Sequence, residues 1–503
     1  MGGTALRVLV LLLALLLPLA TSAPAQEKPA EPPRADNPHA APIGPVETRH
    51  EIDIGGRHFS FRTVVESLPV TNGRGEVTAR IFTTAYLAEG PTPGRPVTFV
   101  FNGGPGAASA FLHVGAMGPL VLATPPDGRM PRPPARLEEN AATWLPFTDL
   151  VFVDPVGTGY SRATRTGDDA ERPFWSVGGD IRSLSEVLRL WLTRAGRWGS
   201  PVFLAGESYG GFRVARLARA LSEGNGIGVA GVAMISPVIE FSTIARGSYD
   251  VLSWALTLPS LAASARAHGK GDPAMDRTAV ERFAMGEYLA GIAAIDPPGP
   301  GPDETLVRRV AGLLGLEADL VRRHRGRVPI EIFADRLLGD SGLAVSLYDG
   351  AYSGPDPRPG SPRGPDVMLD ATIAPVTSAF TQLVQDRLGL RTEVPFMLLN
   401  RRPSGAWDWE GARNEAGSLD ELAEAMATVP GLMVLVVHGE TDLVTPYMAS
   451  RWVLDRLNLP EEVRQRARLA VLGGGHMMYF RPDQRAALAE AARAFYAERL
   501  AAR

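Results

Sequence analysis

The stretch Gly206-Glu207-Ser208-Tyr209-Gly210-Gly211 sets a serine among glycines, directly after the apolar run PVFLA. It stands before a segment whose apolar residues Phe212, Val214, Leu217 and Leu221 form a helical stripe. A serine on a sharp strand-to-helix turn exposes its hydroxyl, and the helix starting behind it supplies positive potential for a developing oxyanion. The chemistry this suits is nucleophilic acyl transfer. A serine hydroxyl is unreactive at neutral pH without a base. Among eight histidines, His476 in GGGHMMYF follows the run LAVL, the place for a base in the chain order Ser, Asp, His. His438 competes, but it falls within or at the end of a strand, where a hydrogen-bonded core histidine is the commoner outcome. The acid that orients the base should follow the preceding strand, and LMVLVVHGETD offers Asp442, which is favoured, and Glu440. Asp154 also follows a strand but precedes the serine. An oxyanion hole needs two backbone N–H groups. Tyr209 supplies one and Gly104, in the loop Asn102-Gly103-Gly104-Pro105-Gly106 after VTFVF, supplies the other. Without a following Lys-Ser/Thr this loop is not a phosphate cradle.

These groups must be carried by a sheet. Six short apolar runs, VTFVFNGG, DLVFVDPVG, PVFLAGESYGG, GVAMISPV, MVLVVHGE and LAVLGGGH, each end in a glycine-rich or polar turn and read as buried parallel strands. Helical patterns lie between them, as in DIRSLSEVLRLWLTRAG and FRVARLARALSEG, so the chain reads as a doubly wound α/β sheet with active groups at the strands' carboxyl ends. Before this series, residues from Glu47 alternate polar and apolar around Gly-Gly and Asn-Gly turns, which predicts antiparallel hairpins at a sheet edge. Residues 241–393 interrupt the strands with helical segments and two Pro/Gly-rich loops, an inserted and mainly helical cap. The sheet is expected to resume at VPFMLLN, so that residues 47–240 and 394–503 form the catalytic domain, closed by a C-terminal helix.

With 503 residues, 45% hydrophobic and 21% charged, the chain is long enough for a large core. Its formal charge of −4 argues against nucleic acid or an anionic membrane surface as the main partner. Residues 1–25 carry Arg7, an apolar run from Val8 to Leu17 and small residues beyond, the pattern of a secretory signal peptide, with a retained anchor as the alternative. Residues 26–46 are rich in Pro and Ala and read as a flexible linker. Cysteine is absent, which fits an exported protein, periplasmic or extracellular, that relies on packing alone. No His/Asp/Glu cluster has metal-ligand spacing, and no cofactor is expected. Trp407 and Trp409 in AWDWEG are open to a place on the cleft wall or in the core.

The motifs VFNGGPGAAS, DPVGTGYS, GESYGG, HGETD and GGGHMM, in that order, closely resemble the serine carboxypeptidase family. The resemblance implies an α/β-hydrolase fold with a cap, and release of single residues from a peptide's free C-terminus through an acyl-enzyme. It implies Ser208 as nucleophile, Asp442 as acid, His476 as base, and Gly104 and Tyr209 as the oxyanion hole. It also assigns recognition of the substrate's C-terminal carboxylate to Asn102, Gly103 and Glu207, and admits a homodimer. Two carboxylates in contact repel unless they share a proton, so activity on free C-termini should favour acid pH. One departure bears on specificity: the family's glutamate before Leu-Gly-Pro aligns with Ala116 in AMGP. That keeps a serine esterase or acyltransferase on the same fold as the alternative, and a non-catalytic binding protein as a reading the ordered triad disfavours.

Overall fold

A computed structural model describes residues 35–90, 94–274, 276–294, 303–361 and 364–501. The signal peptide expected at residues 1–25 and the first part of the expected linker lie outside the described residues. The chain divides into a short unit, residues 1–35, and a large one, residues 36–503, to which everything below refers.

Strands β1 (Val46–Ile54), β2 (Arg57–Thr71) and β3 (Val77–Ala88) form an antiparallel meander at one edge of a ten-stranded sheet. The β2–β3 turn is set by Asn72, whose Oδ1 accepts the N–H groups of Arg74 and Glu76. The next six strands are the six apolar runs: β4 (Val97–Phe101), β5 (Asp149–Val153), β6 (Val202–Glu207), β7 (Val229–Ile235), β8 (Met433–Gly439) and β9 (Ala467–Leu472). The order across the sheet is β1-β2-β3-β5-β4-β6-β7-β8-β9, parallel from β5 onward, and the tenth strand, the two-residue Arg162–Ala163, pairs with β3 off this path. Every residue of β4 to β8 is buried, which is why these strands read as continuous apolar runs and not as alternating ones. Helices cover both faces. On one, α1 (Val177–Arg194) and α2 (Tyr209–Asn225) pack Leu184, Leu188, Leu217 and Leu221 on the sheet. On the other, the C-terminal helix Pro482–Ala501 buries Leu488, Phe495 and Tyr496. This is the α/β-hydrolase arrangement, with an inserted and mainly helical region.

Three details differ from the sequence reading. Residues 394–400 are not a strand: they touch the body through single bridges, Ala107 to Leu399 and Gly159 to Met397. A strand needs a free edge to pair with, and β4 is already flanked by β5 and β6. Second, the insert is divided. Residues from Ala255 to Val345 share a core of their own with Leu443, whereas Met368, Val376, Phe380 and Leu388 join the core beneath the sheet. An apolar helical stripe predicts a helix but does not say which surface it covers. Third, the end of the expected linker is pinned. Asn37 donates from its backbone to Thr164 O and from its side chain to Ala163 O, and Ser67 and Ile43 exchange hydrogen bonds.

Candidate active site

Phe101 at the end of β4 lies opposite Gly206, one residue before the end of β6, so the loops that follow these parallel neighbours begin side by side. Where the strand order reverses, a crevice opens at the carboxyl ends. Ser208 sits there at φ 60°, ψ −124°, a backbone conformation that costs a non-glycine residue roughly 1–3 kcal/mol. The turn is held by Ser208 N–H donating to Ile235 O and by Gly211 N–H donating to Ser208 O. It closes only because Gly206 lacks a side chain: a Cβ there would lie 2.1 Å from Gly210 O. Gly103 is equally confined, its would-be Cβ 2.5 Å from Tyr209 N, so the glycine loop rests directly on the first turn of α2. That contact brings Gly104, at φ 102°, and the N–H of Tyr209 to the same corner.

His476 follows β9 and is almost fully buried; its Nδ1 lies 2.7 Å from Asp442 Oδ2. The Asp442 carboxylate is fully buried and saturated, with Oδ1 accepting from Val444 N–H and Thr445 N–H and Oδ2 from the Thr445 hydroxyl. With Nδ1 held, Nε2 is the nitrogen left to take a proton. Burial alone would lower the His476 pKa, but the Asp442 charge and hydrogen bond, joined by the Glu207 charge, bring it above the ordinary value. Ser208 and His476 line one cavity of about 260 Å³. Among the described residues no hydrogen bond joins the two side chains, and such contacts often tighten only around substrate. The competing residues lie elsewhere: His438 is buried within β8 against Ser450 Oγ, and Glu440 pairs with Arg266 at 3.5 Å. The buried carboxyl of Asp154 accepts the N–H and hydroxyl of Ser109, bracing the glycine loop from below.

Glu207 is the second titratable group in the cavity. Asn102 Nδ2 donates to its Oε2, and the Tyr479 hydroxyl donates to its Oε1 at 2.8 Å. Burial pushes its pKa up to about 7, against the opposing pull of the His476 charge and of these two hydrogen bonds. Asn102 is fixed in turn: its Oδ1 accepts Leu112 N–H, and its carbonyl accepts from Arg213, whose Nε pairs with the buried Asp180 at 2.7 Å. Ala116 is buried and apolar in its surroundings. Its neighbour Gly115 backs the Tyr479 ring so closely that a Cβ would lie 2.8 Å from it. A phenol therefore stands next to where the resemblance would put a second carboxyl.

Tyr479, Thr445 and the Arg213–Asp180 pair were not singled out from the sequence. Tyr479 was visible only as the third residue after His476, and the buried pair only as two charges near the starts of apolar-striped helices. Removing the Tyr479 hydroxyl takes away a donor that favours ionised Glu207, so its pKa rises further. In Tyr479→Phe, the alkaline limb of kcat/KM on a free-acid peptide should move up by about one pH unit. An unmoved limb would remove Tyr479 from the network.

A segment of the insert ties together the loops that carry Asp442 and His476. Leu443 N–H donates to Leu347 O, Gly350 N–H to Thr441 O, and His476 N–H to Tyr348 O, while the Thr441 hydroxyl and Arg481 both bind the Asp349 carboxylate. The Tyr348 ring stands edge-on to the imidazole at 5.3 Å. Among the described residues no group of three or more His, Cys, Asp or Glu could hold a metal ion.

Residues 73–255 match the serine carboxypeptidase family. The resemblance is thereby borne out over the three motifs in that span, VFNGGPGAAS, DPVGTGYS and GESYGG, while HGETD and GGGHMM lie beyond it. Serine carboxypeptidase-like 3 of Arabidopsis thaliana is 27% identical over 192 residues, 35% of this chain and 42% of that protein. The pheromone-processing carboxypeptidase kex1 of Neosartorya fischeri is 31% identical over 133 residues, 25% of this chain and 18% of that one. The alignments thus span less than half the length of these relatives. The crystal structure of Kex1(delta)p, a prohormone-processing carboxypeptidase from Saccharomyces cerevisiae, covers 87% of this chain and 92% of its own at 14% identity and a TM-score of 0.54, a likeness of fold. The serine carboxypeptidase match contains Asn102, Gly103, Gly104, Glu207, Ser208 and Tyr209, whereas Asp442 and His476 lie beyond its end.

Proposed function

We propose that the protein is an exported serine carboxypeptidase acting on peptides with a free C-terminus. Ser208 Oγ attacks the scissile carbonyl as its proton passes to His476 Nε2, with Asp442 stabilising the imidazolium and the N–H groups of Gly104 and Tyr209 receiving the oxyanion. The imidazolium protonates the departing amine, the C-terminal residue leaves, and water activated by His476 hydrolyses the acyl-enzyme. The observation that carries the reading is the buried Glu207, held by Asn102 and Tyr479 in the same cavity as Ser208 and His476. Protonated, it donates a hydrogen bond to a substrate carboxylate, with Asn102 and the backbone of Gly103 completing the cradle. Export into the periplasm or beyond rests on the signal-peptide pattern of residues 1–25; no described helix is long and apolar enough to cross a membrane.

Ala116 is the observation that favours the second reading, an esterase or acyltransferase, since it leaves the cradle one carboxyl short of the family pattern. The two readings part on an N-blocked dipeptide and its C-terminally amidated twin, assayed from about pH 4 to 9 with Ser208→Ala as control. The free acid should be preferred on the acid side, because the productive form carries its one proton on Glu207 while His476 is neutral, which gives a bell-shaped profile. The amide needs only neutral His476 and should follow a single rising limb. Equal turnover of the twins, or turnover of simple esters alone, would favour the second reading.

A further inference from the structure

We propose, on the basis of the acyl-transfer reading above, that Arg413 selects substrates bearing a carboxylate side chain on the residue that donates the scissile carbonyl. Among the residues lining the catalytic cavity, Arg413 is the one arginine, and lysine is absent. Its guanidinium packs over the rings of Phe241 and Trp409, 5.2 Å from each centroid, and those rings meet each other at 4.7 Å. Aromatic faces hold a cation in place without neutralising it. No carboxylate pairs with Arg413 among the described residues, and two nearby acids are engaged elsewhere. Glu240 accepts the N–H groups of Ser418 and Leu419, and Glu410 accepts that of Gly178. An exposed guanidinium stacked on two rings at a cavity wall presents a planar fork suited to two carboxylate oxygens.

The substrate's terminal carboxylate already has a receptor in Glu207 and Asn102, so Arg413 serves a second anion. It belongs to the aromatic wall continued by Trp409 onto Tyr209, the residue after the nucleophile, and not to the Asn102–Glu207 pair. The substrate residue on that wall is the one acylating Ser208.

The test compares N-blocked Glu-Phe with its isostere Gln-Phe. The native enzyme should favour the acidic substrate about tenfold in kcat/KM, an advantage that shrinks with added salt. Arg413→Gln should erase the preference by slowing the acidic substrate alone, and Arg413→Lys should restore part of it. Equal rates on the two isosteres in the native enzyme, or an equal loss on both in Arg413→Gln, would overturn the proposal. So would an Arg413-dependent preference that appears only when the acidic residue is the leaving one. The p-nitrophenyl esters of N-blocked glutamate and glutamine acylate Ser208 without a C-terminal carboxylate. If the esters keep the Arg413-dependent preference while neither dipeptide is cleaved, the carboxypeptidase reading fails and the role of Arg413 stands.

Discussion

Asp442→Asn should lower kcat by about four orders of magnitude while KM stays close to the native value. The carboxylate accepts from the imidazole at Nδ1 and is itself saturated by Val444 N–H, Thr445 N–H and the Thr445 hydroxyl. An asparagine keeps the shape but can turn an NH₂ toward Nδ1, which moves the ring proton to Nε2 and leaves no base facing Ser208. It also removes the charge that offsets burial of the imidazolium. Ser208→Ala removes the nucleophile itself and should fall at least as far. Because residues acting as a unit do not add, the double variant should be no slower than the worse of the two. Burst kinetics with an activated ester give the check, since an acyl-enzyme that still accumulates at the native rate in Asp442→Asn would mean that another group orients His476.

The second large effect concerns Glu207→Gln. In the native protein, raising pH through about 7 ionises Glu207 and turns a hydrogen-bond donor into a charge that repels the substrate carboxylate. At two pH units above that value only about one molecule in a hundred keeps the proton, so turnover of a free-acid peptide should fall roughly a hundredfold from its optimum. A glutamine amide donates at every pH. The variant should therefore lose the alkaline limb and, near pH 9, exceed the native enzyme by up to about a hundredfold relative to their respective optima. The acid limb belongs to His476 and should not move to lower pH, because Glu207 is already protonated and uncharged there. A variant that retains the alkaline limb on free acids would assign that limb to a group other than Glu207.

The chain announced its parallel strands because a strand buried on both faces has to be apolar throughout, as in VTFVF and PVFLA. The turn that carries Ser208 was legible because it needs glycines at fixed offsets. Asp442 and His476 could be named from chain order and from their places after β8 and β9. What stayed hidden has a common cause. Tyr479 reaches Glu207, and Arg213 reaches Asn102 and Asp180, across elements far apart in sequence, and no local period encodes such a meeting. The same holds for residues 394–400, whose apolar pattern suits a strand while the sheet has no vacant edge beside β4 to receive it. The packing of Met368 to Leu388 beneath the sheet is likewise set by which surface is free, not by their own sequence.

The segment Leu347–Gly350 gives the insert a meaning beyond covering a cleft. It bonds to the loop that carries the acid and to the loop that carries the base, and Leu443, next to Asp442, is buried in the insert's own core. The insert is thus a splint and not an accessory, and trimming it away should loosen the Asp442–His476 hydrogen bond. An exchange of caps to alter substrate choice would have to leave residues 347–350 and their partners in place.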